Sequence, residues 1–113
     1  MHELSLLENI REILEEHAVS QNFTQVTQVT LEIGKLSCVE PEALRFGFDV
    51  VMKGSLAENG TLIITEREGL GLCQQCGQQF VMETLYEPCA SCGSPDIKIL
   101  QGREMKIRDL VVI

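Results

Sequence analysis

Two cysteine motifs of identical spacing, Cys73-Gln74-Gln75-Cys76 and Cys89-Ala90-Ser91-Cys92, each followed directly by glycine (Gly77 and Gly93), constrain this chain more than any other feature. Each C-x2-C turn can present two thiolates to one side of a metal ion. The glycine supplies the positive φ that lets backbone N–H groups approach the sulfurs. Together the four cysteines read as one closed tetrahedral zinc site. Four thiolates leave zinc no open coordination position, so the metal is expected to be structural and the activity to lie elsewhere. The competing reading is a pair of redox C-x-x-C motifs, but neither is expected at the end of a strand that opens a helix, as a thioredoxin-like site requires.

Around the cysteines, residues 69 to 102 lose regular hydrophobic periodicity and read as a zinc-binding insert. A segment of that size falls below the roughly 40 residues that usually fold unaided, so zinc is expected to supply its folding free energy and the metal-free insert to be disordered. The flanking residues, 1–68 and 103–113, read as one discontinuous α/β domain.

Within that domain Leu6, Leu7, Ile10, Ile13, Leu14 and His17 recur at helical intervals opposite Glu8, Arg11, Glu12, Glu15 and Glu16. They predict an amphipathic helix over about 4–18. Ser5 and Glu8 fit a capping box, although a start two residues earlier would set Glu3 against the helix dipole. His17, on the apolar stripe, is expected to be packed and hydrogen-bonded. Residues 25–34 alternate as a half-buried strand with Val29, Leu31 and Ile33 on one face and Thr30 and Glu32 on the other. Pro41 and Glu42 open a second helix whose stripe runs through Leu44, Phe48 and Val51, broadened by Phe46 and Val50 and ended by Gly54. Thr61 to Glu66 and Arg103 to Ile113 supply two more alternating strands, and the strand–helix–strand order favours parallel pairing of the first two. The fold class is therefore α+β: two helices on a small three-stranded mixed sheet, with an inserted zinc ribbon carrying the two C-x2-C knuckles.

Composition excludes several functions. Nine Lys and Arg face 17 Asp and Glu, and a net charge of -8 opposes binding to a phosphate backbone. The first 20 residues carry five glutamates and no apolar core of a signal peptide, and no stretch approaches the about 20 apolar residues of a membrane span. The chain is thus expected in the cytoplasm, without nucleic-acid or membrane partners. No nucleophile with a base, no phosphate loop and no patterned carboxylate pair offers a catalytic site, so the chain reads as no enzyme.

The remaining chemistry sits at the start. The Met1 amine, the amide and imidazole of His2 and the amide of Glu3 can close adjacent chelate rings around a plane of four nitrogens, a set that suits Ni(II) or Cu(II). The bulk of His2 is expected to keep Met1 in place. Cys38, unpaired before Pro41, reads as a small apolar filler, and Glu40 and Glu42 as charges complementing a helix start, with Glu40 a further candidate oxygen ligand.

The Met1-His2-Glu3-Leu4-Ser5 start, Leu31-Glu32-Ile33-Gly34, the segment Leu36 to Glu42 and the late Arg103-Glu104-Met105-Lys106-Ile107, joined to the two knuckles, resemble the HypA/HybF family of hydrogenase maturation nickel chaperones across Met1 to Ile113. The resemblance implies a nickel-binding domain holding Ni(II) through Met1, His2 and Glu3, assisted by Glu40, and a zinc domain ligated by Cys73, Cys76, Cys89 and Cys92. It implies as partners the maturation GTPase HypB, the [NiFe]-hydrogenase large-subunit precursor and, in some bacteria, urease maturation proteins. Monomer and homodimer stay open. The alternative function is a zinc-ribbon adaptor that joins proteins without transferring nickel.

Overall fold

The computed structural model describes residues 2 to 113, apart from the side chain of His2. Two helices and six strands follow in the order α1 (His2–Gln21), β1 (Val26–Gly34), α2 (Pro41–Met52), β2 (Thr61–Arg67), β3 (Gly69–Cys73), β4 (Gln79–Met82), β5 (Ile97–Gln101) and β6 (Met105–Val112). They build two three-stranded sheets, ordered β2-β1-β6 and β4-β3-β5. The last strand joins the first sheet beside β1, as its alternation predicts.

The backbone divides into two compact units, 1–31 with 39–64 and 107–113, and 32–38 with 65–106. The second contains residues 69–102 together with 65–68, 103–106, the end of β1 and the loop after it.

In the first unit α1 buries Leu7, Ile10 and Leu14, one stripe at helical spacing. The helix already includes His2, so Ser5 lies inside it rather than at a cap, and Glu3 is the acid of the first turn. His17 is exposed, a turn beyond the last buried residue of the stripe, and does not pack as expected. On α2, Leu44, Phe48 and Met52 are buried, while Val51 is only half-buried. Phe46 and Val50 do not broaden that stripe: they are 80% and 63% exposed. The cause is a close helix crossing at Gly47, where an added Cβ would stand 2.8 Å from Leu7 Cδ1. The crossing runs over Gly47 and leaves its flanking side chains outside. Lys53 and Gly54, the latter at φ +79, take the chain out of α2.

Strand β1 is buried on both faces from Val29 to Gly34, not on one. It is the central strand of its sheet, and Thr30 and Glu32, on the face expected to stay open, are each only 7% exposed, so the alternation of a half-buried strand is absent there.

The second unit holds order where the sequence pattern fades. Strand β3 pairs antiparallel with both β4 and β5, and its burial alternates strictly, with Gly69, Gly71 and Cys73 inward. The inward glycines face side chains with no room for a Cβ: one on Gly71 would lie 2.6 Å from Met82 Sδ and 2.8 Å from Ile97 Cγ2. Period two is therefore present but written in glycine, which a hydrophobicity pattern does not register. Glu32, 7% exposed, meets Arg67 and Lys106, each with a nitrogen 3.4 Å from one of its oxygens.

Candidate metal centres

The two knuckles are built as copies offset by sixteen residues. In the first, the Gly77 amide donates to the Cys73 carbonyl and the Cys73 amide to the Gln78 carbonyl, both at 2.9 Å. In the second, Gly93 donates to Cys89 and Cys89 to Ser94, again at 2.9 Å. Gly77 and Gly93 stand at φ +77 and +76, the left-handed conformation that closes each turn. Cys73 ends strand β3, but the chain then turns into β4 rather than into a helix, which removes the setting of a thioredoxin-like pair.

These turns bring the four Sγ atoms within 4.8 Å of one another. Cys73 and Cys92 are 3.5 Å apart and Cys76 and Cys89 3.7 Å. Zinc–sulfur bonds of about 2.3 Å in a tetrahedron place sulfurs about 3.8 Å apart, so the cluster has the dimensions of a tetrathiolate zinc site. Backbone donors converge on it: the Cys76 amide on Cys73 Sγ at 3.4 Å, and the amides of Ser91 and Cys92 on Cys89 Sγ at 3.4 and 3.5 Å. The Cys76 amide is the main reason the Cys73 thiol is drawn down to about 6. For Cys92 the Ser94 amide pulls the thiol down, but the neighbouring Cys73 sulfur and burial together outweigh it and push the group up to about 12. Four thiols this close resist sharing more negative charge, and a divalent cation removes that resistance. Cys73 and Cys89 are buried and Cys76 and Cys92 exposed, so the ion would sit near the surface with its ligand set complete and no position left for cargo.

The second candidate centre lies where α1 starts. Met1 falls outside the described residues, as does the side chain of His2. The described part is a contact between the two helix starts: Glu3 Oε2 accepts from the Glu40 amide at 3.2 Å. Glu40 is the N-cap of α2, with φ −87 and ψ 114, and its Oε1 accepts from the Glu42 amide at 3.4 Å. Glu3 and Glu40 are thus brought together, and the predicted order of loop, Pro41 and helix is what places them. Cys38 is exposed at φ +63 and belongs to the other unit.

Sequence reasoning had no means of finding two further features. Tyr86 is 93% exposed at φ +65, in a turn without recognisable turn residues. The Glu32 ion pairs join positions 35 and 74 residues apart in the chain, beyond any local pattern.

One unit built on two helices and one organised around four thiolates define a small metalloprotein whose structural metal is coordinatively closed. The family described as "Hydrogenase/urease nickel incorporation, metallochaperone, hypA" matches residues 1–112. The hydrogenase maturation factor HypA of Psychromonas ingrahamii is 48% identical over 112 residues, covering 99% of this chain and 98% of the relative. That of Azorhizobium caulinodans is 45% identical over 113 residues, the whole of both chains. The solution structure of the Ni metallochaperone HypA from Helicobacter pylori superposes with a TM-score of 0.71 at 26% identity, over 98% of this chain and 97% of that one. The chain belongs to the HypA family: it is a nickel metallochaperone of hydrogenase maturation. Among the described residues no helix is long and apolar enough to cross a membrane.

Proposed function

We propose that this chain captures Ni(II) at its first residues, through the Met1 amine, the amide and imidazole of His2 and the Glu3 amide, with the Glu40 carboxylate as an additional oxygen donor. The helical unit is then the nickel-binding domain. The other unit is a zinc-binding domain in which Cys73, Cys76, Cys89 and Cys92 hold one zinc ion, and its folding is what that ion supplies. The observation that carries this reading is the hydrogen bond from the Glu40 amide to Glu3 Oε2, which keeps the loop before α2 beside the chain start. Two arguments support it. The first four N–H groups of a helix have no acceptor within it, so a metal that displaces the amide protons of His2 and Glu3 breaks no intrahelical bond. The four thiolates, in turn, leave no vacancy for nickel on a zinc ion they hold.

Nitrogen ligands at a chain start can be displaced one at a time by a recipient's ligands, which suits delivery. Capture displaces protons, so affinity falls as pH drops and the amine and imidazole protonate. The protein performs no catalysis. It acts in the cytoplasm, handing nickel to the [NiFe]-hydrogenase large-subunit precursor together with the GTPase HypB, and to urease maturation proteins in bacteria that make urease.

Calorimetric nickel titration of the zinc-loaded protein tests this, with a native amino terminus and with Gly-Ser placed before Met1. One nickel per chain, lost on extension and in His2→Ala, is the expected result. Equal binding by native and extended forms would move the site elsewhere. No binding by either would leave the zinc-ribbon adaptor as the reading.

A further inference from the structure

The crossing of α1 and α2 at Gly47 leaves a groove open along the helix pair. One part, a cleft of about 250 Å³, is lined by Glu3, Leu4, Ala43, Phe46, Gly47 and Val50. Leu4 and Val50 also line a neighbouring cleft of about 510 Å³, which adds Val51 and, from α1, Glu8, Glu12 and Glu15. Phe46 and Val50 are the large apolar residues of α2 that its core does not use, and Leu4 is itself exposed. An apolar floor of this kind on a chain of net charge -8 marks a surface meant to be covered.

Charge decides what covers it. Glu8, Glu12 and Glu15 recur at spacings of four and three, so they form one acidic wall along the groove. Arg11 is the lining cation among the described residues, and it is already committed. Its Nη1 donates to the Val51 carbonyl at 2.8 Å and approaches the Lys53 carbonyl at 3.4 Å, and its Nε stands 4.0 Å from Glu15. A second copy of this chain would set acidic wall against acidic wall, and an anionic membrane surface would be repelled. We propose that the groove docks an amphipathic helix of a partner protein, with its apolar face on Leu4, Phe46 and Val50 and its lysines or arginines against Glu8, Glu12 and Glu15. Docking a helix by its apolar face between two helices is an established recognition geometry, and the charges fix its register and speed its arrival. The proposal is independent of the nickel ligand set, though Glu3 at the end of the groove means a docked partner would reach the chain start where cargo is proposed to sit.

The test is fluorescence anisotropy on the zinc-loaded full chain with two labelled leucine–lysine peptides of about 15 residues, long enough for helix to form on binding. They share one composition. One has its leucines at i, i+3, i+4 and i+7, and the other is scrambled so that no apolar face exists. The amphipathic peptide is expected to bind the wild type at least about tenfold more tightly than the scrambled one, and Phe46→Asp with Val50→Asp to abolish that preference. Glu8→Lys with Glu12→Lys should weaken the amphipathic peptide and flatten its salt dependence. Since Phe46 and Val50 are exposed, thermal unfolding and zinc content of their variants should match the wild type, which separates lost docking from lost fold. Equal binding of both peptides, or binding indifferent to the Phe46 and Val50 changes, would overturn the proposal. So would a wild-type dimer in sedimentation that Phe46→Asp dissociates, because a second copy would then be the occupant.

Discussion

Glu3, in the first turn of α1, accepts a hydrogen bond from the backbone amide of Glu40, the N-cap of α2, at 3.2 Å. One bond thus spans 37 residues of sequence and fixes the two helix starts against each other. It also gives Glu3 two separable contributions to the proposed nickel site, an amide that ligates and a carboxylate that positions.

Substituting the side chain separates them. Glu3→Ala keeps the amide and loses the acceptor, and nickel affinity is expected to fall about tenfold, the usual cost of removing a group that orients a ligand. Glu3→Gln retains an oxygen that can accept from Glu40 and should stay near wild type. Nickel titrations of the two variants decide the matter, and equal affinity in Glu3→Ala would show that the contact has no part in metal capture.

Removing zinc should act on one unit alone. Unit 2 closes its two knuckles through sulfur, and buries Cys73 and Cys89 beside only a few apolar side chains such as Met82 and Leu36. Structural zinc sites contribute about 10–16 kcal/mol to folding in small peptides, so chelation should unfold residues 65–106 while α1 and α2 persist. Amide hydrogen exchange before and after chelation reads this directly. Protection retained by β3 and β5 in the metal-free protein would contradict it.

How much of this was legible in the sequence depended on where each signal was written. The cysteine spacing carried the tetrathiolate cluster because both knuckles are local turns closed by glycine. The helices were legible through their buried stripes, but not the fate of Phe46 and Val50, which follows from Gly47 letting α1 approach. A lone glycine in a helix gives no hint of its partner. Strand β3 was missed because Gly69 and Gly71 occupy its inward positions, and Glu32 read as a solvent-facing residue because its cations arrive from distant strands.

That same glutamate should give the protein an acid-sensitive increment of stability. Burial alone would raise the Glu32 carboxyl, but the hydrogen bond and charge of Lys106, with the charge of Arg67, outweigh burial and hold it below its ordinary value. A depressed carboxyl stabilises the fold above its unfolded value of about 4.3 and loses that contribution as pH falls through the lower folded value. Glu32→Gln should therefore be less stable than wild type at neutral pH, and the gap should close below about pH 4. Zinc release in acid affects both proteins, so the difference between their urea midpoints at each pH isolates Glu32. A gap that does not change with pH would assign its role to packing alone.

The tightest backbone approach in the second unit sets the last expectation. A Cβ on Gly34 would overlap the Gly102 carbonyl and stand 2.7 Å from the Arg103 nitrogen. Gly102 itself, at φ +118, has its Cβ position 2.8 Å from Gly69 Cα. The Gly34 amide donates to Glu104 and the Leu36 amide to Gly102, both at 2.8 Å, so the strands cannot part without losing these bonds. Because the obstacle is main chain, no rotamer change relieves it, and Gly34→Ala should destabilise by about 2–3 kcal/mol or more. Gly54 is the control: at φ +79 it has nothing within 4 Å of an added Cβ, so Gly54→Ala carries only conformational strain, about 1 kcal/mol. Urea unfolding of the two zinc-loaded variants compares them. Equal losses would mean that the main chain around Gly34 and Gly102 shifts to admit a Cβ at little cost, and that the close approach is not what keeps glycine at position 34.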